Sequence, residues 1–310
     1  MLISLRRREA SLGLGRKRMS VLHLIFTATA GTLQSLDVKA LAEWISASGG
    51  YVGPVAAQQR GGYRGLFCTQ DGVRAGEPLL AVPRCCTLRG AAGKGKRPIE
   101  MLITSLLAER DAGATSEFAQ YIESLPASVP LLRDWSTARL NRLDAPDLAF
   151  DALSQHEWLA RLGESQDHDF KHVEWAERLC RSRGIAYSDA ESGESGLQLV
   201  PLLDLANHRV QPSDAHPPLV EYEDGVTVLC ACTDLEAGDE ATFAYTEEGN
   251  ARLLLDYGFA ALKAPGVDAD IEYVDLEGLE AMLEESRQET VARLQLPSCE
   301  EEESEPSEEK

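Results

Sequence analysis

Apolar and polar positions follow helical and alternating rhythms by turns along this 310-residue chain. From Asp37 to Ser48 the apolar residues recur at helical spacing. Leu41, Trp44 and Ile45 share one side, and Gly49-Gly50 stops the helix. Short β-type stretches follow at Val55–Ala57, Gly61–Phe67 and Ala75–Pro83, the last opening with an Ala-Gly-Glu turn. Gly90–Pro98 (GAAGKGKRP) reads as a flexible loop; without the flanking pattern, its Lys-Gly-Lys is no phosphate loop. The pattern from Ile99 to Arg183 is helical, broken near Gly113, Pro126, Pro130, Pro146 and Gly163. It predicts helices over Glu100–Arg110, Glu117–Ser124, Asp147–Leu162 and His168–Arg183.

Strands then return. An apolar strand over Leu197–Leu203 breaks into a short polar turn, which leaves Asn207 and His208 at a strand end, where unpaired backbone groups can meet a ligand. Leu219–Thr233 alternates as a hairpin around Glu223-Asp224-Gly225. Ala237-Gly238-Asp239 turns into a strand over Ala241–Tyr245, and a short helix runs from Asn250 to a stop at Gly258. One more strand (Ile271–Val274), a charged helix (Leu276–Gln295) and a disordered acidic tail complete the pattern. The fold class is α+β: short strands and hairpins, suited to small antiparallel sheets, flank a long helical stretch.

Composition changes this picture in two places. The net charge is −21, and without the basic segment Arg6–Arg18 and the acidic end Glu300–Lys310 the body still carries about −20. Such a body argues against general binding to nucleic acid or anionic membrane, which needs clustered Lys and Arg. It suits a basic peptide segment, or acidity here serves solubility alone. The seven cysteines are scattered without a C-x-x-C, and Cys230 and Cys232 would face one side of a strand. This favours free thiols in a reducing compartment, with neither disulfides nor zinc. His168 and His172 are spaced to share a helix face, but no third ligand accompanies them, so no metal is expected.

Residues 1–35 leave several readings open. Six basic residues precede the run Val21–Phe26, as in a transit peptide or a secretory signal with a short apolar region, and Met19 could equally be the start. The apolar run is too short to span a membrane. Cytoplasmic or nuclear residence and plastid or mitochondrial import are both compatible with it.

Candidate chemistry sits in three motifs. Asp204-Leu205-Ala206-Asn207-His208 is followed by Gly238-Asp239-Glu240, then Tyr245 at the strand end and Tyr257-Gly258-Phe259 at the helix end. Upstream, Tyr63-Arg64-Gly65-Leu66-Phe67 precedes the Ala-Gly-Glu turn and a strand ending in Val82-Pro83. Together these resemble SET-domain protein methyltransferases, of the type of the plastid Rubisco large-subunit lysine methyltransferase and its relatives, the actin-histidine methyltransferases included. The resemblance covers roughly Leu36 to Leu262. Two departures stand out: Tyr63 replaces the first glycine of G-x-G, and in the S-R-x-F element begun by Ser182-Arg183 the phenylalanine falls on Ile185. Past Phe259 the family's helical substrate-binding domain has no convincing counterpart.

The resemblance implies halves of a SET domain at 36–98 and 184–262, a helical insert at 99–183, a remnant at 263–296 and a tail at 297–310. It implies a C-terminal segment threaded through an earlier loop. The implied cofactor is S-adenosylmethionine, bound by Tyr63, Arg64, Gly65, Leu66, Asp204, Asn207, His208, Tyr245 and Phe259. Tyr245 would be the catalytic residue, and Tyr257 and Arg183 would shape the substrate channel. Read as residues alone, Tyr257 and Phe259 are core aromatics or direct contacts, Asp204 could simply cap its turn, and the His208 imidazole could be structural. The implied activity is protein-lysine N-methylation of a non-histone substrate by a monomer, since the histidine enzymes lack a tyrosine before the final Gly-Phe. An inactive SET-like binding module is the alternative from another class, with histidine methylation beside it.

Overall fold

The computed structural model describes residues 38–60, 63–93, 95–143, 145–165, 168–189, 193–209, 217–221, 225–246, 249–263, 271–275 and 288. The segment before Val38, the hairpin tip at 222–224, the helix expected over 276–295 (residue 288 apart) and the acidic tail lie outside the described residues. The first part joins one helix to short strands: α1 (Val38–Ala47), β1 (Tyr51–Val52), β2 (Val55–Arg60), β3 (Tyr63–Cys68), β4 (Pro78–Val82) and β5 (Leu88–Ala91). Helices follow as α2 (Pro98–Ala112), α3 (Ala119–Ser124), α4 (Thr137–Leu140), α5 (Pro146–Ser165) and α6 (Phe170–Arg183). The chain then returns to strands with β6 (Ile185–Ser188), β7 (Ser195–Leu199), β8 (Asn207–His208), β9 (Leu219–Glu221), β10 (Thr227–Cys230) and β11 (Glu240–Phe243). Last come α7 (Asn250–Tyr257), β12 (Phe259–Lys263) and β13 (Ile271–Asp275).

The described strands form sheets in the orders β1-β4-β10-β9, β2-β3-β11-β8, β5-β7-β6 and β12-β13. The class is α+β and the sheets are small, as the periodicity indicates. One is mixed rather than antiparallel, because β8 runs parallel to β11. The main core joins Leu66, Leu79, Leu80 and Val82 of the strands to Leu102, Ile103, Leu106 and Leu107 of α2. All eight are buried, and each such side chain contributes about 1.5–3 kcal/mol. A second cluster packs Leu132, Trp135 and Leu140 against Ala149 and Ala152 of α5 and Leu254 and Leu255 of α7. It fastens the C-terminal helix to the helical segment. Gly258 completes that seam: it ends α7 at φ 77°, and a Cβ there would lie 2.1 Å from the Pro130 carbonyl oxygen.

Several expected boundaries shift. The strand predicted to reach Leu203 stops at Leu199, because Leu202 adopts φ 65° and the chain curls into a 3-10 turn over Leu203–Leu205. Asn207 and His208 consequently form a strand of their own rather than the end of the preceding one. The loop predicted at 90–98 is partly strand, with Gly90 and Ala91 paired to Leu197 and Gly196. Helix α6 begins at Phe170 under an Asp169 cap, so His168 precedes it and shares no helix face with His172; its Nε2 instead meets Asp111 Oδ2 at 2.8 Å. Cys232 lies past the end of β10, where its thiol donates to the Thr242 carbonyl. The last strand, β13, pairs in full with β12.

Candidate active site

Strand β11 is the organiser. Its Glu240 and Ala241 pair antiparallel with Phe67 and Leu66 of β3, while Thr242 and Phe243 pair in parallel with Asn207 and His208. One four-residue strand therefore brings together three motifs far apart in the sequence. Alternation buries Ala241 and Phe243 and leaves Glu240 and Thr242 on the other face. There Asn207 Nδ2 donates to the Arg64 carbonyl at 2.8 Å and to Glu240 Oε1 at 2.7 Å. Both amide hydrogens are committed, which leaves Oδ1 as this side chain's acceptor. Gly65 is required here: a Cβ would sit 2.4 Å from Glu240 Oε1 and 2.9 Å from Asn207 Nδ2. Leu66 turns its side chain into the core, so only its backbone faces this corner. Tyr63 opens β3 opposite Arg60.

Beyond Phe243 the strand ends for a specific reason. The Tyr245 N–H donates to Nδ1 of His208 at 3.0 Å instead of to a neighbouring strand. Burial lowers the His208 pKa to about 4, so the ring is neutral near pH 7, and with Nδ1 accepting, its proton resides on Nε2. His208 is thus a positioning group, unsuited to act as a base. The Tyr245 hydroxyl donates to the Ala206 carbonyl at 2.8 Å, and burial pushes its pKa well above the ordinary tyrosine range. It is a neutral donor with lone pairs to spare. Around it lie the rings of Tyr257 at 4.8 Å, Phe243 at 5.0 Å, His208 at 5.3 Å and Phe259 at 6.3 Å. Tyr257 and Phe259, both half-buried, are members of this aromatic cluster and flank the Gly258 helix end.

The third group centres on Asp204, whose side chain is only 3% exposed. Its carboxylate accepts from the buried Tyr121 hydroxyl at 3.0 Å and from Arg183 NH1 at 3.3 Å, and NH1 also donates to the Asp204 carbonyl at 2.8 Å. The cap role open to Asp204 is therefore replaced by a tertiary one. Arg64 borders the same group: burial and then Arg183 lower its pKa, against the opposing pull of Asp204 and Tyr121. Leu202, the only non-glycine described residue with positive φ, stands two places before Asp204, a strain of about 1–3 kcal/mol that the packing must overcome. A cavity of about 110 Å³ opens between these parts, lined among others by Ser182, Arg183, Asp204, Ala206, Tyr245 and Tyr257.

Four of the residues implied by the motifs, Arg183, Asp204, Tyr245 and Tyr257, thus meet at one cavity. Arg64, Gly65 and Asn207 form an adjoining corner, with Phe259 on the aromatic cluster between. Two residues were missed. Glu240 stood in the quoted Gly-Asp-Glu, and the alternation of β11 would have put it on the face of Asn207. Tyr121 had no such signal, since its partner lies 83 residues away. Among the described residues no three His, Cys, Asp or Glu side chains cluster as metal ligands, and no helix is long and apolar enough to cross a membrane.

The fold is similar to that of solved structures of Rubisco LSMT. The SET domain of LSMT bound to lysine and AdoHcy superimposes with a TM-score of 0.58 over 76% of this chain and 63% of that one, at 21% identity. Rubisco LSMT bound to sinefungin and monomethyllysine matches with the same TM-score at 22% identity, over 75% of this chain and 57% of that one. Rubisco LSMT bound to AdoMet matches at 20% identity, over 78% and 67%. The fold is a SET domain. No family model and no curated protein matches the sequence, so the fold is carried by structure rather than by overall identity. In the first of these comparisons the SET domain here spans 63% of its neighbour's length.

Proposed function

We propose that this SET domain is an S-adenosylmethionine-dependent protein-lysine N-methyltransferase that acts, as a monomer, on a non-histone protein. The observation that carries the reading is the cavity where the Tyr245 hydroxyl, Tyr257 and the Arg183–Asp204 pair meet, beside the corner built by Gly65, Asn207 and Glu240. Support comes from the neighbours, one bound to lysine with AdoHcy and another to AdoMet. The threaded C-terminal segment belongs to the same proposal, supported by the β8–β11 pairing.

The residues present suit the cofactor. The Glu240 carboxylate and Asn207 Oδ1 could accept from its ammonium group, the gap over Gly65 leaves backbone accessible, and Phe259 offers a flat face to an adenine. When bound, S-adenosylmethionine supplies a methyl group activated by a sulfonium. This chain's residues need to align and shield rather than exchange protons, and alignment can supply much of such a rate. The Tyr245 oxygen and nearby carbonyls can orient the methyl by weak C–H···O contacts, and its ring lines the cavity together with Tyr257. Lysine is favoured over histidine by Tyr257, which stands before the final Gly-Phe.

The test is methyl transfer. The purified chain is incubated with tritium-labelled cofactor and fractionated cell protein, and labelled peptides are sequenced by mass spectrometry. Label on lysine side chains is the expected result. Label on histidine corrects the acceptor, and no label with any fraction leaves the inactive module as the better account.

A further inference from the structure

A chain of ion pairs joins the two helices whose ends line the cavity. One wall is the end of α6, which carries Arg183; the other is the end of α7, which carries Tyr257. Arg181, two residues before Arg183, donates through Nε to Glu177 Oε1 at 2.6 Å and through NH1 to Asp256 Oδ1 at 3.1 Å. Its guanidinium also lies 5.5 Å from the Trp158 ring. Asp256, beside Tyr257 in sequence, accepts from Gln155 Nε2 at 2.9 Å and pairs with Arg252 Nε at 2.5 Å. Glu177, fully buried, takes both terminal nitrogens of the equally buried Arg133.

Such a network is a poor device for stability alone, because an apolar replacement of similar volume commonly does as well or better. What it provides is direction: a planar guanidinium fixed by two carboxylates holds two helices at one spacing. We infer that the Arg181–Asp256 pair is a positioning element that sets the separation of the Arg183 and Tyr257 walls, and with it the fit of a side-chain amine in the cavity. The inference rests on the methyl-transfer reading of that cavity. Both residues act through their neighbours and touch no reacting atom. Asp256 holds the flank of α7 one residue before Tyr257, while Gly258 holds its end against Pro130. Loosening the pair releases this flank of α7 from α6.

The experiment uses the full chain and Nα-acetyl-lysine methyl ester, a probe small enough that its kinetics report the cavity rather than remote docking. The variants are Asp256→Asn, Arg181→Lys, the double Arg181→Met/Asp256→Leu, and Leu159→Ala as a control that destabilises the core of α5. Positioning requires kcat/KM to fall at least tenfold in Asp256→Asn and in the double variant, with S-adenosylhomocysteine affinity within twofold of wild type. Arg181→Lys, which keeps the charge but not the fork, should fall between. The double variant should keep most of its thermal stability, and Leu159→Ala should lose stability without a tenfold loss of kcat/KM. The inference is overturned if Asp256→Asn stays within twofold of wild type, or if kcat/KM follows melting temperature across the set. Absence of methyl transfer by the wild type would instead sink the enzyme reading. Crystal structures of wild type and Asp256→Asn then decide the pair by themselves: an unchanged Arg183–Tyr257 separation overturns it, and a widened one upholds it.

Discussion

Alanine at position 65 would add one methyl group where Glu240 Oε1 is 2.4 Å and Asn207 Nδ2 2.9 Å from the new carbon. Neither distance is tolerable, and the backbone of β3, paired with Gln58 of β2, cannot retreat without breaking its ladder. The side chain that can yield is Glu240, and when it swings away its 2.7 Å bond to Asn207 is lost. A hydrogen bond to a charged group contributes about 1.5–3 kcal/mol, against which alanine regains about 0.5–1 kcal/mol over glycine in a strand. The net cost is about 1–2 kcal/mol, a fall of roughly 2–8 °C in melting temperature for a domain of this size. Asn207, held only by the Arg64 carbonyl, should also lose orientation, and S-adenosylhomocysteine should bind about tenfold more weakly, about 1.4 kcal/mol. Thermal scans and titration calorimetry on wild type, Gly65→Ala, Glu240→Ala and the double variant complete a thermodynamic cycle. If the nearer clash is with Glu240, Gly65→Ala costs less stability in the Glu240→Ala background, where only Asn207 Nδ2 at 2.9 Å remains, than in wild type. Strict additivity, or a Gly65→Ala protein as stable as wild type, would refute the geometry of this corner.

Other consequences are independent of that corner. Tyr245→Phe keeps the ring among its four aromatic neighbours and removes the bond to Ala206; stability should fall by about 1 kcal/mol while methyl transfer falls by roughly 30- to 1000-fold, measured with labelled cofactor. For His208, whose folded pKa of about 4 lies below the ordinary 6.5, stability is full above pH 6.5. It is lost as pH falls toward 4, by up to about 3 kcal/mol, because only the unfolded chain takes the proton readily. Denaturant midpoints from pH 7 to 4 should therefore slope less steeply in His208→Gln. Glu177→Leu strands the buried Arg133 guanidinium and should cost about 3–5 kcal/mol in urea unfolding, far more than an exposed pair would.

Legibility in the sequence tracked locality. Helix ends marked by Gly49 and Gly258, and the alternation of the strands, depend on neighbours a few residues away. Those elements came out within a few positions. Leu202 gave no warning, because a leucine in an apolar run reads as strand, and only tertiary packing forces it to positive φ. The short turns between Pro130 and Pro146 carry no period long enough to read. At the site, motif order named Asn207, Tyr245 and Tyr257. The parallel pairing of β8 with β11, which makes them neighbours, has no signature in either segment. Tyr121 and Arg181 act across long loops on Asp204 and Asp256, and a buried tyrosine or a helical arginine looks the same with or without such a partner.

The central claim is that the corner built by Gly65, Asn207 and Glu240 receives S-adenosylmethionine, and titration calorimetry of the unmodified chain with S-adenosylhomocysteine tests it most directly. The account predicts a single site in the micromolar range, about −8 kcal/mol, weakened about tenfold, or 1.4 kcal/mol, by Asn207→Ala. Absence of heat and of any thermal shift at millimolar ligand would contradict it.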